Sequence, residues 1–129
     1  MRAMQGFTSL ATLAQEQVSA DYSRRSLIGE KLMISWARMS SGMHAASHHH
    51  PHEQAFWILS GSVDFRLGDE RRRCHAGDLV LVPPDVEHEV WCLEDTEFAT
   101  MLAPPRIDLA PGAPLPAHLV MDGPDRTKS

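Results

Sequence analysis

Cysteine is scarce in this chain of 129 residues: only Cys74 and Cys92 occur. Two isolated cysteines make neither the disulfide framework of a small secreted domain nor a C-x-x-C metal clip. Free thiols in a reducing compartment are the expectation. Long apolar runs are missing too. No stretch approaches the ~20 residues that cross a bilayer, and Met1 to Leu13 carries one arginine and no apolar run of signal-peptide length. Positive charge is in deficit, with 12 Lys+Arg against 17 Asp+Glu and a net charge of −5. Phosphate binding wants a basic footprint, so nucleic acid is not the expected partner. These absences leave a soluble, cytoplasmic chain with no membrane and no nucleic-acid partner. Its length fits one domain around one core.

The pattern of what is present is short and punctuated. Apolar or alternating runs cover 24–28, 31–39, 54–60, 62–67, 79–82, 87–93 and 97–103. Between them lie Gly29-Glu30, Ser40-Ser41-Gly42, Ser60-Gly61, Gly68-Asp69, Gly77-Asp78 and Pro83-Pro84-Asp85. Strands this short at such spacing predict an all-β sandwich or barrel, and the lack of an internal repeat predicts one barrel rather than two. Residues 8–18 carry Leu10, Leu13, Ala14 and Gln17 at helical spacing behind Thr8 or Ser9 as a cap, which predicts a short helix in an N-terminal arm. From Pro104 onward six prolines remove ladder donors, so this segment cannot be central sheet. The expected organisation is an arm over 1–21, a barrel over 22–106 and a tail over 107–129.

Four histidines fall within five positions in the stretch Ser47-His48-His49-His50-Pro51-His52-Glu53-Gln54. Alternate side chains of a strand share a face, so His48 and His50 point together and His49 points away. If the extended path resumes after Pro51, Gln54 returns to the face of His48 and His50. Glu53 would replace it only after a one-residue slip, and parity places Glu53 with His49. Two imidazoles at i and i+2 can chelate one divalent transition metal ion. A third can come from His88, which follows the turn Pro83-Pro84-Asp85 and can face inward across a small barrel. His44, His75 and His118 read as surface or satisfied residues. By the same parity Phe56 and Ile58 point inward and Trp57 and Leu59 outward, while Val90 and Cys92 follow His88. In the run 31–39, Trp36 and Arg38 lie on one face and Met33, Ser35, Ala37 and Met39 on the other. Which set lines the pocket stays open, and an inward Arg38 would anchor a substrate carboxylate.

These spacings resemble the two motifs of the cupins, over roughly residues 25–106. The first, G-x5-H-x-H-x3,4-E-x6-G, is met by Gly42, His48, His50, Gln54 and Gly61. The second, G-x5-P-x-G-x2-H-x3-N, is met by Gly77, Pro83 and His88, with Asp85 in place of its second glycine and Cys92 in place of its asparagine. The resemblance implies a single cupin β-barrel, or jelly roll, with metal ligands at His48, His50, Gln54 and His88. The metal would be a divalent transition ion such as Zn, Ni, Fe, Mn or Cu. Glutamine brings a neutral oxygen where the motif has glutamate, which leaves the full charge of the ion as a Lewis acid.

Within the family, the run His48-His49-His50-Pro51-His52-Glu53-Gln54 is similar to small pectin-degradation-type cupins, which convert unsaturated monouronates to linear keto sugars. Their D-x-F-x-P-x-R signature maps its arginine onto Arg106. Thr100 and Leu102 stand where its aspartate and phenylalanine would be, and threonine is no general base near neutral pH. Three functions remain in play. The first is a metal-dependent isomerase or lyase acting on a small oxygen-rich acid, with Arg106 or Arg38 holding a carboxylate. The others are an Fe(II)-dependent dioxygenase and a non-catalytic binding module. Small barrels of this family pair through a sheet face, which implies a homodimer that covers residues such as Trp57.

Overall fold

The computed structural model describes residues 6–106; the proline-rich tail expected over 107–129 lies outside the described residues. Ten strands follow one another: β1 (Glu16–Ser19), β2 (Tyr22–Ile28), β3 (Met33–Met39), β4 (His44–His48), β5 (Glu53–Ser60), β6 (Ser62–Leu67), β7 (Glu70–His75), β8 (Leu79–Val82), β9 (His88–Cys92) and β10 (Thr96–Ala103). They form a six-stranded sheet, β1-β2-β3-β10-β5-β8, facing a four-stranded sheet, β4-β9-β6-β7. All pairings are antiparallel. This is the jelly-roll barrel that the punctuated pattern predicts. Among the described residues no helix is long and apolar enough to cross a membrane.

Alternation decides what fills the barrel. Along β5, Phe56 and Ile58 are buried while Trp57 and Leu59 are exposed; along β9, His88, Val90 and Cys92 are buried. Phe56 stacks on Phe98 at 4.5 Å and meets Phe65 of the opposite sheet at 5.3 Å. Each such buried ring contributes about 1.5–3 kcal/mol by leaving water, so this aromatic trio ties the sheets together. Met39 and Met43 belong to the same buried cluster and fill spaces around it.

Two turns carry strain that their residues must tolerate. Gly61, between β5 and β6, has φ +91°, and a Cβ there would fall 2.4 Å from the Asp95 carbonyl oxygen. Only glycine fits. Asp85 is the described non-glycine residue with positive φ, at 64°, and aspartate is among the few residues that adopt this region readily. It stands where the cupin motif has glycine, so the backbone conformation is kept while the residue differs.

The structure departs from the sequence reading in three places. The helix expected over 8–18 is only a single 3-10 turn, Leu10–Thr12, followed by the edge strand β1, which lies within the stretch set apart as an arm. Leu10 is exposed and has no core to face, and the Arg25 guanidinium captures the Leu13 carbonyl at 2.7 Å, outside any helical ladder. Strands β4 and β7 are absent from the apolar runs because their patterns are polar: β7 is Glu-Arg-Arg-Arg-Cys-His and buries only Cys74. Arg71, Arg72 and Arg73 instead pair with Asp64 and Glu70. Third, Arg38 faces outward, because the inward set of β3 is Met33, Ser35, Ala37 and Met39. Its side chain is 62 % exposed and lies 3.7 Å from the Asp95 carboxylate. Arg38 is therefore not among the residues that line the cavity inside the barrel.

Candidate metal centre

Four side chains converge from three strands and the connection between two of them. His48 ends β4, His88 begins β9 directly opposite it, His50 lies in the connection to β5, and Gln54 is on β5. The nitrogen atoms of His48, His50 and His88 lie within 4.8 Å of one another. His50 and His88 are 5 % and 2 % exposed, and His48 is partly buried. His49 points out and is exposed, as alternation implies.

The backbone fixes how each ring is held. The Nδ1–H of His48 donates to the Ala46 carbonyl at 2.7 Å, that of His88 to Val86 at 3.0 Å, and that of His50 to His52 at 3.1 Å. A carbonyl only accepts, so these bonds set one tautomer, and each neutral ring turns the lone pair of Nε2 the other way. One further bond joins the two motif segments: the Asp85 backbone N–H donates to the His50 carbonyl at 2.8 Å.

The donor set fits a divalent transition metal. His50 Nε2 stands 2.9 Å from Gln54 Oε1. With Nδ1–H given to His52, two lone pairs face each other there, which a proton or a cation must relieve. Burial pushes the His50 pKa down and the Arg106 charge adds to this, against the bond to Gln54. The proton is disfavoured, and an ion shared by three imidazoles and an amide oxygen resolves the contact. Gln54 Nε2 donates to Thr100 Oγ1 at 2.8 Å, which turns the amide oxygen toward the imidazoles.

A cavity of about 70 Å³ opens beside this group. Its apolar wall includes Phe56, Phe65, Val90, Phe98 and Leu102, and its polar groups are His48, His88, Gln54, Thr100, Tyr22 and Arg106. That composition suits a small ligand with a few fixed polar contacts. Arg106 is 5 % exposed. No aspartate or glutamate lines the cavity among the described residues. Cys92, in place of the motif asparagine, is buried with its thiol pushed up to about 12, chiefly by burial and then by Asp95, so it is not a thiolate. Sequence reasoning brought together His48, His50, Gln54, His88 and Arg106 but missed Tyr22, which sits at the start of β2. Its one signal was rarity, since it is the sole tyrosine.

Comparison with known proteins agrees with the architecture. An RmlC-like cupin from Shewanella frigidimarina superposes with a TM-score of 0.78 at 23 % identity, covering 84 % of this chain and 98 % of that one. KdgF from Halomonas sp. superposes with a TM-score of 0.75 at 23 % identity, covering 81 % and 98 %. The polyketide cyclase RemF from Streptomyces resistomycificus follows with a TM-score of 0.67 at 17 % identity, covering 80 % and 82 %. Identities this low carry the fold and not the chemistry. No curated protein matches the sequence. The family model for the cupin domain matches residues 35–103, more than half of the chain and both histidine segments; with the barrel and its two motifs in place, the chain belongs to the cupin family.

Proposed function

We propose that the chain is a metal-dependent enzyme, an isomerase or lyase that acts on a small oxygen-rich acid such as an unsaturated uronate. One observation carries this reading: three imidazoles and an amide oxygen converge beside a cavity that two of those imidazoles and the buried Arg106 line, and no described lining residue is a carboxylate. His48, His50, Gln54 and His88 would hold the ion. When bound, it supplies Lewis acidity toward a carboxylate, carbonyl or hydroxyl oxygen. Neither Gln54 nor any described wall residue offsets the charge of the ion. An anion is the natural counterpart, because buried charge is costly unless paired. Arg106 orients a carboxylate by its planar fork, and the phenylalanine wall excludes water.

The test is purification with metal analysis, followed by incubation with unsaturated monouronates. About one Zn, Ni or Mn per chain, with loss of the ultraviolet absorbance of the substrate, is the expected result. Iron together with substrate-dependent O₂ uptake would replace this reading by a cupin dioxygenase, which the neutral fourth ligand permits. Metal without turnover would leave a binding module, which the absence of a carboxylate in the cavity favours.

The same reading includes a homodimer and a cytoplasmic setting, the latter supported by two buried free thiols. The outer face of the six-stranded sheet supports the dimer. Its register aligns Leu79, Trp57, Ala99 and Trp36 in one row, and Leu81, Ala55, Met101, Ile34 and Leu27 in the next. Leu79, Leu81 and Trp57 are 64, 60 and 43 % exposed. A second copy seated on these rows buries them about a two-fold axis.

A further inference from the structure

The cavity has a second polar end. Tyr22 faces Met39 at the start of β2, and Met39 faces Thr96 at the start of β10. Gln54 faces Leu102, near the far end of β10. At about 3.3 Å per residue these levels lie roughly 20 Å apart along the strand, less the reach of the inward side chains from either end. Both ends nevertheless line one cavity. In it Tyr22 is the one lining residue, besides the candidate ligands and Thr100, with a neutral polar hydrogen to donate.

Tyr22 is built into its position from behind. Arg24, two residues on and on the same inward face, is 2 % exposed. Its guanidinium carbon lies 6.0 Å from the Tyr22 ring centroid. Edge strand β1 holds it, because Glu16 is the register partner of Arg24 and accepts from its Nη2 at 3.2 Å and its Nε at 3.4 Å. Burial raises the pKa of Tyr22, while Arg24 beside it works the other way and Arg106 adds a smaller pull in the same sense. Glu16, paired with Arg24, adds to the rise, and the phenol keeps its proton at neutral pH. Arg106 lines the same cavity and acts electrostatically on both His50 and Tyr22.

We propose that the Tyr22 end is a second anion subsite, where the Tyr22 hydroxyl donates to a carboxylate oxygen of a ligand whose other oxygens lie at the imidazole group. Arg24 is a positioning residue behind it, and Arg106 supplies charge beside it. The ligand class is an acid several carbons long with an oxygen function at each end. The cavity, about 70 Å³, has room for about five waters and so admits a short chain. This rests on the metal reading above for one of its two ends.

Succinate and acetate serve as probes, titrated calorimetrically into the cobalt-loaded full chain. Succinate is expected to bind at least tenfold more tightly than acetate. Tyr22→Phe is expected to weaken succinate about tenfold, with acetate affinity, metal content and Tm unchanged. Arg24→Lys, which keeps the charge but loses the fork, should weaken succinate less than Tyr22→Phe does. Equal succinate affinity in wild type and Tyr22→Phe overturns the subsite, as does weakening of acetate and succinate alike. Should the chain take up no cobalt, the metal reading fails by itself. Succinate titration of the metal-free chain and its Tyr22→Phe variant then decides the subsite: a Tyr22-dependent signal upholds it, and none overturns it.

Discussion

The outer face of the four-stranded sheet is laced with ions, whereas that of the six-stranded sheet is apolar across two rows. On the small sheet Asp64 pairs with Arg71 and Arg73, and Arg66 with Glu87 and Glu89. Trp91 is sandwiched between His44, stacked at 5.3 Å, and Arg71 at 3.9 Å. Charges of both signs on edge strand β7 also discourage strand addition. The large sheet ends instead in β8, Leu-Val-Leu-Val, with both leucines exposed. Inside, the contrast runs differently: the small sheet brings two imidazoles, and the large sheet brings the amide and, just past β10, the arginine. One outer face is ion-paired and the other is apolar, while the site draws on both walls.

The largest expected break is in the link between the sheets. His50→Ala should lower metal affinity more than about 100-fold, beyond the 10- to 100-fold typical of losing an outer partner; metal analysis after dialysis should find well below one ion per chain. His49→Ala, on the outward face, should leave metal content nearly unchanged. Next is the corner where β5 of the large sheet becomes β6 of the small one. Gly61→Ala forces a left-handed alanine and a collision with Asp95, for a loss of about 2–3 kcal/mol, read as a lower denaturant midpoint.

Thr100→Val takes away the acceptor of the Gln54 amide and should weaken the metal about tenfold, with Thr100→Ser restoring most of it in a competition titration. On the outer faces, the proposed dimer predicts that Leu79→Lys with Trp57→Lys yields a monomer in sedimentation, whereas Arg71→Ala leaves the wild-type oligomeric state unchanged.

The smallest effect lies in the small-sheet network. Burial raises the Asp64 pKa, but hydrogen bonds from Arg73 and Arg71 outweigh it, so the folded value lies below the ordinary 3.8. Its stabilisation is complete above that pH and fades as pH falls through the lower folded value. Arg71 and Arg73 are 53 and 62 % exposed, so solvent screens the pairs. Asp64→Asn should cost under about 1 kcal/mol and flatten the acid limb of the stability curve.

The same contrast explains what was legible in the sequence. Strands with one apolar face, such as β5 and β10, announce themselves by alternation, and the jelly roll follows from their spacing. Strand β7 hides because its stability comes from ion pairs and ladder bonds rather than from an apolar face. The histidines and Gln54 were visible as spacing within two motifs, and Arg106 through the D-x-F-x-P-x-R signature. Tyr22 was not visible, and Thr100 was seen only as standing where that signature has aspartate, because their roles depend on which residues the register places opposite them. The side of β3 that faces inward was likewise undetermined until β2 and β10 fixed it, and that decided against Arg38.

The bond from the Asp85 amide to the His50 carbonyl is made entirely by main chain, so no side-chain substitution short of proline deletes it. The loop that presents one imidazole is thereby latched to the corner that precedes another, whatever amino acid occupies position 85. Residue identity there is free to drift as long as the corner keeps its handedness, and the spacing of the two nitrogens is inherited from chain geometry alone.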